Sequence, residues 1–484
     1  MLLLAPLIAA AFFLWRIDRE HLWLDEAYSA AMAAHDFGDI IRIVEQDVHP
    51  PLYYLALKAV SAVFGTGEHC LRVLSALFAI GLVLLGIGPV RRIFGRDAAY
   101  VYSALAVLSP GVVCFAQEAR MYTMAAFFVL SAALYGIEAV RHGRKGDFVR
   151  FGVLVSIAMY THYFALAASA VTVLLLIVFS AVRMRSRLKP LLVTATAAAV
   201  LYLPWVPSFL VQIHRVEAGF WIPDPNWFLI KFSLMAPYAY KYEDIMYPWA
   251  SVAAMVLSAV AISWGLWAHR RNAEMLLPLS FLVGIHLLTI VVGIVVSIFI
   301  APILMPRYLI SCIGLFLVSV AVGIAALPKA SARLGASALI LALLLPADYH
   351  IQTDTFHGPF REVAAIIAKR DPHDATIVHE DVQTLFPMQW GLPHATHVLV
   401  TDIPSVQALA GGVYPEEGLD VAKGLGEVLK RGEPFWLVDY DLSDSIVTER
   451  LTPPPGWRIQ NEDRFAPPFS FTKIALTRWA PERL

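Results

Sequence analysis

Two adjacent carboxylates, Asp25 and Glu26, stand in the run Trp23-Leu24-Asp25-Glu26-Ala27-Tyr28, shortly before His49-Pro50-Pro51-Leu52-Tyr53-Tyr54. A carboxylate facing a low-dielectric cleft holds its proton more tightly and is suited to act as a base. Sequence neighbours do not share a helix face, so one of the pair at most points at a substrate. The plainer reading is solvation of a helix start, where acidic residues are favoured. A second polar cluster, Gln117-Glu118-Ala119-Arg120-Met121-Tyr122, reads either as a surface ion pair worth little or as a second carboxylate beside a cation for an anionic group. His49 is followed by two prolines that hold its backbone extended. It can hydrogen-bond a phosphate or simply stabilise its loop. Thr161-His162-Tyr163 reads as an interfacial histidine or a ligand. Arg307 and Tyr308, in Met305-Pro306-Arg307-Tyr308, read as a snorkelling Arg with a belt aromatic, or as a phosphate clamp, since the planar guanidinium donates two hydrogen bonds at once. Phe220-Trp221-Ile222-Pro223-Asp224-Pro225 reads as a packing or rim element.

The elements that must carry these residues are membrane helices. Of the 484 residues, 58% are hydrophobic and 15% charged, and mean hydropathy is +0.65. That is the composition of a polytopic α-helical membrane protein. Five short loops collect the basic residues: Arg91, Arg92 and Arg96; Arg141, Arg144, Lys145 and Arg150; Arg183, Arg185, Arg187 and Lys189; Arg270 and Arg271; Lys329 and Arg333. The positive-inside rule puts all five in the cytoplasm. Spans are predicted near 2–15, 69–90, 98–115, 119–140, 151–165, 166–182, 190–208, 246–268, 275–297, 307–327 and 333–347, about eleven in all, with the C-terminus outside. The first is shorter than the roughly 20 residues of a full span; it has no preceding Lys or Arg and reads as a spanning helix, with a cleaved signal as the alternative. Residues 51–64 carry Lys58 and are read as a helix lying in the outer interface, because a charge at the bilayer centre costs about 2.5–3.5 kcal/mol. The first external loop, roughly 16–68, then holds both the Asp-Glu pair and the His-Pro-Pro run. Every unusual charged cluster falls on the outer side.

From residue 348 the pattern changes. Phe360–Arg370 reads as a helix, and 375–379, 396–401, 435–439 and 471–476 as strands, giving a small α/β domain, 348–484, outside the membrane and after the membrane domain, 1–347. Cys70, Cys114 and Cys312 lie in or beside apolar segments and read as buried thiols, with no disulfide or metal pattern. A net charge of −1 and the lack of a basic tract argue against a nucleic-acid partner. A transporter keeps ionisable residues near mid-membrane, whereas these spans are clean. A flippase of lipid-linked saccharides and a membrane-anchored binding module remain the competing classes. Deleting 348–484 is expected to spare a core site in the bundle and to abolish a binding module.

The order WLDEAYS (23–29), HPPLYY (49–54), Phe64-Gly65 with Leu71-Arg72, QEARMY (117–122), YTHYF (160–164) and RYL (307–309) resembles the GT-C glycosyltransferases. The likeness is greatest to the bacterial branch related to protein O-mannosyltransferases and to the aminoarabinose and galacturonic acid transferases of lipid A, and it covers about the first 330 residues. It implies a GT-C fold with interfacial helices in the first external loop, and transfer of a sugar from a polyprenyl-phosphate donor, with inversion. The acceptor would be a glycan, glycolipid or protein at the outer face of a bacterial cytoplasmic membrane, facing the periplasm. Asp25 matches the family's catalytic Asp, Glu118 the second acidic position, and Glu26 takes a supporting role. His49, Arg120, Tyr122, His162, Arg307 and Tyr308 are implied donor phosphate or sugar contacts. The aminoarabinose transferases carry Lys where this chain has His49, which weakens that sugar assignment. A divalent metal is left open, with Asp25 and Glu118 as its candidates; their spacing matches no recognised metal motif.

Overall fold

The computed structural model describes residues 4–218, 222–238, 248–372, 374–403, 406, 413, 419–441, 453–467, 470 and 473–482. Phe220, Trp221 and the first two residues of the strand expected at 471–476 lie outside this set. The chain packs as two compact units. The first holds Met1–Trp15, Phe37–Val60 and Arg72–Gln352; the second holds Arg16–Asp36, Ser61–Leu71 and Thr353–Leu484.

The first unit is a helical bundle. Among the described residues eight helical stretches are long and apolar enough to cross a membrane. One of them, Glu68–Leu108, contains two of the expected spans. It is not a straight rod. Gly88 departs from helical geometry, Gly95 adopts a φ of 87°, and Pro89 lies between them. The chain folds back there, since the Tyr102 hydroxyl donates to the Leu82 carbonyl at 2.8 Å. A positive φ is the conformation that only glycine adopts freely. The turn carries Arg91, Arg92 and Arg96, and Arg92 makes a two-point ion pair with Glu138 at 2.7 and 3.0 Å. Helices Ala5–Leu14, of 10 residues, and Lys145–Thr161, of 17, overlap the expected spans 2–15 and 151–165 but fall short of the roughly 20 residues of a full span.

Residues Leu52–Phe64 form the expected helix, with Tyr53, Tyr54 and Leu57 fully buried. Helix Tyr122–His142 runs 21 residues, about 30 Å at 1.5 Å per residue. It ends at Gly143, in the left-handed conformation, where Arg187 donates to the Val140 and His142 carbonyls. The expected boundary between spans 151–165 and 166–182 shifts to His162, which ends helix Lys145–Thr161 and caps Tyr163–Arg183 by accepting from the Phe164 amide at 3.1 Å. Tyr122, His162 and Arg307–Tyr308 thus sit at the opposite helix ends from the basic turns.

The second unit contains a six-stranded sheet of β1 (Thr376–His379), β2 (Thr396–Val400), β3 (Leu419–Ala422), β4 (Phe435–Asp441), β5 (Trp457–Phe465) and β6 (Lys473–Pro481), in the order β3-β2-β1-β4-β6-β5. The first four strands are parallel; β6 and β5 complete the sheet antiparallel. Side chains alternate between faces, as the strand period requires. Ile377, Trp436, Val438, Ile474 and Leu476 pack under helix Phe360–Arg370, while Val378, Val398, Phe435, Leu437 and Trp479 form a second core with Val428. Strands β3 and β5 and helices Val382–Gly391 and Leu425–Lys430 were not expected from sequence. The three cysteines are buried, as expected.

One buried chain of hydrogen bonds crosses this sheet. The His397 Nε2 lies 3.0 Å from the Leu392 carbonyl, His397 Nδ1 lies 3.0 Å from His379 Nε2, and His379 Nδ1 lies 3.0 Å from the Thr384 hydroxyl. The Leu392 oxygen only accepts, so each imidazole donates from Nε2 and accepts at Nδ1. Burial, and then the neighbouring His397, holds His379 well toward its neutral form, and burial shifts His397 in the same direction. The unfolded chain binds protons below about pH 6.5 that the folded domain refuses. Stability is therefore full above that pH and declines as pH falls, by at most about 1.4 kcal/mol per pH unit for each histidine. Thermal unfolding of the full chain, read by amide exchange across 376–400, is expected to shift down between pH 7.5 and 5.0. The shift is expected to flatten in the double variant His379→Gln/His397→Gln; a profile independent of pH contradicts the assignment.

Candidate active site

The first unit gathers its polar side chains around the loop Asp47–Pro51. Pro50 and Pro51 end the extended loop and launch helix Leu52–Phe64, which aims Tyr54 back at Asp47. The Asp47 Oδ2 accepts from the Tyr54 hydroxyl at 3.5 Å and lies 3.4 Å from His49 Nδ1. The Arg120 guanidinium donates to the Tyr54 oxygen at 3.3 Å. Burial pushes the Asp47 carboxyl up, but the charge and hydrogen bond of His49, a backbone amide and the charge of Arg120 outweigh it. Asp47 is held below the ordinary carboxylate range and stays ionised.

The turn that carries Arg120 is fixed by its backbone. Helix Pro110–Ala116 starts on a proline, which suits the first helical position. The chain then turns through Gln117–Met121 into helix Tyr122–His142. The Ser75 hydroxyl donates to the Arg120 carbonyl at 2.9 Å, and Thr123 donates to the Ser75 carbonyl at 2.8 Å. Gln117 donates to the Phe13 and Trp15 carbonyls at 3.1 and 3.0 Å. Glu118 is buried, and its Oε1 lies 3.5 Å from the Cys114 thiol that donates to it.

Beside these groups lies a floor of rings. The His162 ring is 5.0 Å from Tyr308, 5.8 Å from Tyr122 and 5.9 Å from His49, centroid to centroid. The Arg307 guanidinium lies 5.7 Å from the Tyr308 ring centre. Burial, and then the positive charges of His49, Arg120 and Arg307, push His162 well toward its neutral form. Its Nδ1 accepts from the Phe164 amide, so Nε2 carries the proton. Three cationic or donor side chains from three separate loops therefore act on one point.

His49, His162 and Tyr308 form the polar end of a cavity of about 320 Å³, whose other walls include Phe164, Ile213, Val216, Val292, Val296 and Ile300. An apolar cavity that ends at His49, His162 and Tyr308, with Arg307 beside the Tyr308 ring, suits an amphipathic anion: a charged head group on a hydrocarbon tail.

Of the residues singled out from sequence, His49, Arg120, Tyr122, His162, Arg307 and Tyr308 come together here, with Glu118 in the same turn as Arg120. Asp25 and Glu26 belong to the second unit, in the first turn of helix Leu24–Ala34. Asp25 is half-buried and Glu26 fully buried, so the two do part to different faces. Asp47 and Tyr54 were missed. The available signal was an acid two residues before the His-Pro-Pro run and a second tyrosine after it. Among the described residues no group of three or more His, Cys, Asp or Glu side chains is placed to hold a metal ion.

Residues 48–207 match the family model described as dolichyl-phosphate-mannose-protein mannosyltransferase. None of the curated proteins matches the chain by sequence. Among solved structures, ArnT from Cupriavidus metallidurans in the apo state superposes with a TM-score of 0.62 at 15% identity, over 98% of this chain and 97% of that one. The same enzyme bound to undecaprenyl phosphate gives 0.60 at 14% identity, over the same shares. The Archaeoglobus fulgidus oligosaccharyltransferase, in complex with zinc and sulfate, gives 0.51 at 11% identity, over 90% of this chain and 67% of that one. The chain therefore has the GT-C fold of membrane glycosyltransferases, and its residues 48–207 carry the sequence pattern of the mannosyltransferase family within it.

Proposed function

We propose that this protein is an inverting glycosyltransferase that moves a sugar from a polyprenyl-phosphate donor to a hydroxyl of a glycan, glycolipid or protein acceptor. The observation that carries this reading is the cavity with its donor-rich mouth at His49, His162 and Tyr308 and its apolar walls. It has the polarity profile of a lipid phosphate. The ArnT structure of the same fold binds undecaprenyl phosphate, which supports the same ligand class here. The placement of the cluster at the helix ends opposite the basic turns, with the positive-inside rule, supports a reaction on the periplasmic side of a bacterial cytoplasmic membrane.

In the proposed reaction the acceptor hydroxyl gives its proton to Asp25 as its oxygen attacks the anomeric carbon. The bond from that carbon to the phosphate oxygen breaks, its electron pair leaves with the lipid phosphate, and the configuration inverts. Arg120, Arg307 and His49 stabilise the charge that develops on the departing phosphate. Preorganised cations in a dry cleft do this effectively because they need no reorganisation when the charge appears. Glu118 serves as the second acidic group, and Glu26 supports the helix that carries Asp25.

Replacing Arg120 or Arg307 by Met removes charge-assisted hydrogen bonds worth roughly 1.5–3 kcal/mol each. Undecaprenyl phosphate affinity, measured by native mass spectrometry in nanodiscs, is expected to fall about 10–100-fold; unchanged affinity contradicts the phosphate assignment. Asp25→Asn is expected to keep that affinity within about twofold while transfer falls by at least roughly 10²-fold. Transfer is read by mass spectrometry of envelope lipids and glycans in a strain lacking the wild-type gene. Wild-type turnover of Asp25→Asn refutes Asp25 as the base.

A further inference from the structure

The second unit contains both the C-terminal sheet and the segment that carries Asp25. Within it, residues 16–36 are tied to residues 354–413 along their whole length. Before the helix, the Glu20 carboxylate accepts from the Phe356 amide at 2.9 Å, from the His357 amide at 3.3 Å and from His357 Nδ1 at 2.6 Å. The His357 ring stacks on Trp23 at 4.6 Å with the planes 8° apart, and Trp23 is the residue that opens helix Leu24–Ala34. His21 Nε2 donates to the Pro387 carbonyl at 3.2 Å, while its Nδ1 lies 2.8 Å from Glu68. Arg361 also binds Glu68 and donates to the Asp18 and Arg19 carbonyls. The His21 ring sits so close to Gly391 that a Cβ there would lie 3.0 Å from Nε2. In the middle of the helix Tyr28 packs on Phe386, 6.4 Å between centroids. At its end His35 Nε2 donates to the Val413 carbonyl at 2.7 Å.

We infer that the C-terminal domain is the positioning device for Asp25, and that the Glu20–His357–Trp23 latch sets the register of the helix start. Helix Leu24–Ala34 has 11 residues and no side-chain cap. Helices of that length are marginal alone and draw their stability from packing. Its first turn, where Asp25 sits, is the part that frays most readily, and the latch closes immediately before it. His357 is buried and charge-assisted on one side and stacked on the other, so a single side chain fixes both the height and the rotation of the helix start. The expectation that removing 348–484 spares a transferase is thereby reversed: the deletion removes every anchor named above except Glu68. The inference deepens the proposed function and rests on Asp25 as its base.

The test uses the full chain in nanodiscs. His357→Ala and Glu20→Gln are compared with His357→Gln, whose amide retains a donor for Glu20, and with Arg370→Ala, which breaks an exposed ion pair to Asp463 elsewhere in the same domain. In the first two variants, amide exchange across 22–34 is expected to rise about tenfold or more while helix Tyr122–His142 keeps its protection. Transfer is expected to fall at least roughly tenfold, as misplacement of a reacting group by about 1 Å does, with undecaprenyl phosphate affinity unchanged. His357→Gln is expected to recover part of both losses, and Arg370→Ala to show neither. Unchanged exchange across 22–34 overturns the latch, and so does raised exchange with full transfer. Full transfer by Asp25→Asn overturns the base assignment instead, and the exchange measurement still decides whether the domain holds the helix.

Discussion

A largely buried carboxylate at the end of an apolar bundle has to be paired, because an isolated one is too costly to keep ionised. Asp47 meets this constraint through His49 on its own loop and, through the Tyr54 hydroxyl, Arg120 on another. That pairing fixes the geometry of the site. Tyr54 stands on helix Leu52–Phe64, and Arg120 stands on a turn whose carbonyl is held by Ser75. Two helices and two loops are therefore locked by one charge. Asp47 and Arg120 share the Tyr54 oxygen, so a second anion arriving at Arg120, His49 and Arg307 meets a positive cluster only partly neutralised. The rings of His162, Tyr122 and Tyr308 pack beside that cluster, and His162 is held toward its neutral form by burial first and by the surrounding positive charges second.

The polar residues of this site were legible because their types stood out against a hydrophobic background. His49, Arg120, His162 and Arg307 each interrupt or flank an apolar run. The fold-back at Gly88–Gly95 was legible too, since three arginines in six residues mark a turn between helices. Asp47 carried only a weak signal, an acid two residues before the His-Pro-Pro run: an acid in a loop has no periodicity, and its meaning arises only when Tyr54 and Arg120 reach it. The helix Phe360–Arg370 and strands β1, β2 and β4 showed in their apolar pattern. Strand β5 did not, because Trp457–Phe465 is rich in charge and alternates between half-buried and exposed positions at the edge of the sheet. His162 shows a finer limit. Its place near a helix end could be read from the sequence, but its role as the cap that separates two helices depends on one hydrogen bond.

The least legible feature was the partition of the chain. The segment 16–36 reads as part of a loop in a membrane domain, yet it packs with residues more than 300 positions later. Nothing in the local sequence of either partner announces that pairing, because Glu20 and His357 look like ordinary surface residues until they are brought together. It changes the meaning of the C-terminal sheet. The parallel strands and their two cores make a rigid platform, and helix Val382–Gly391, lying beside that platform, offers Phe386 to the helix that carries Asp25 and the Pro387 carbonyl to His21 just before it. Rigid elements hold reacting groups more accurately than loops do, and a short helix with no cap of its own needs such support.

We propose the cluster around Asp47, His49, Arg120 and Arg307 as a lipid-phosphate site beside the apolar cavity. An electron cryomicroscopy map of the protein in nanodiscs containing undecaprenyl phosphate tests it most directly. Phosphate density is expected within hydrogen-bond reach of His49, Arg120 and Arg307, with the lipid chain running between Phe164, Val216 and Val296. A head group seated elsewhere, with this cavity empty, would contradict it.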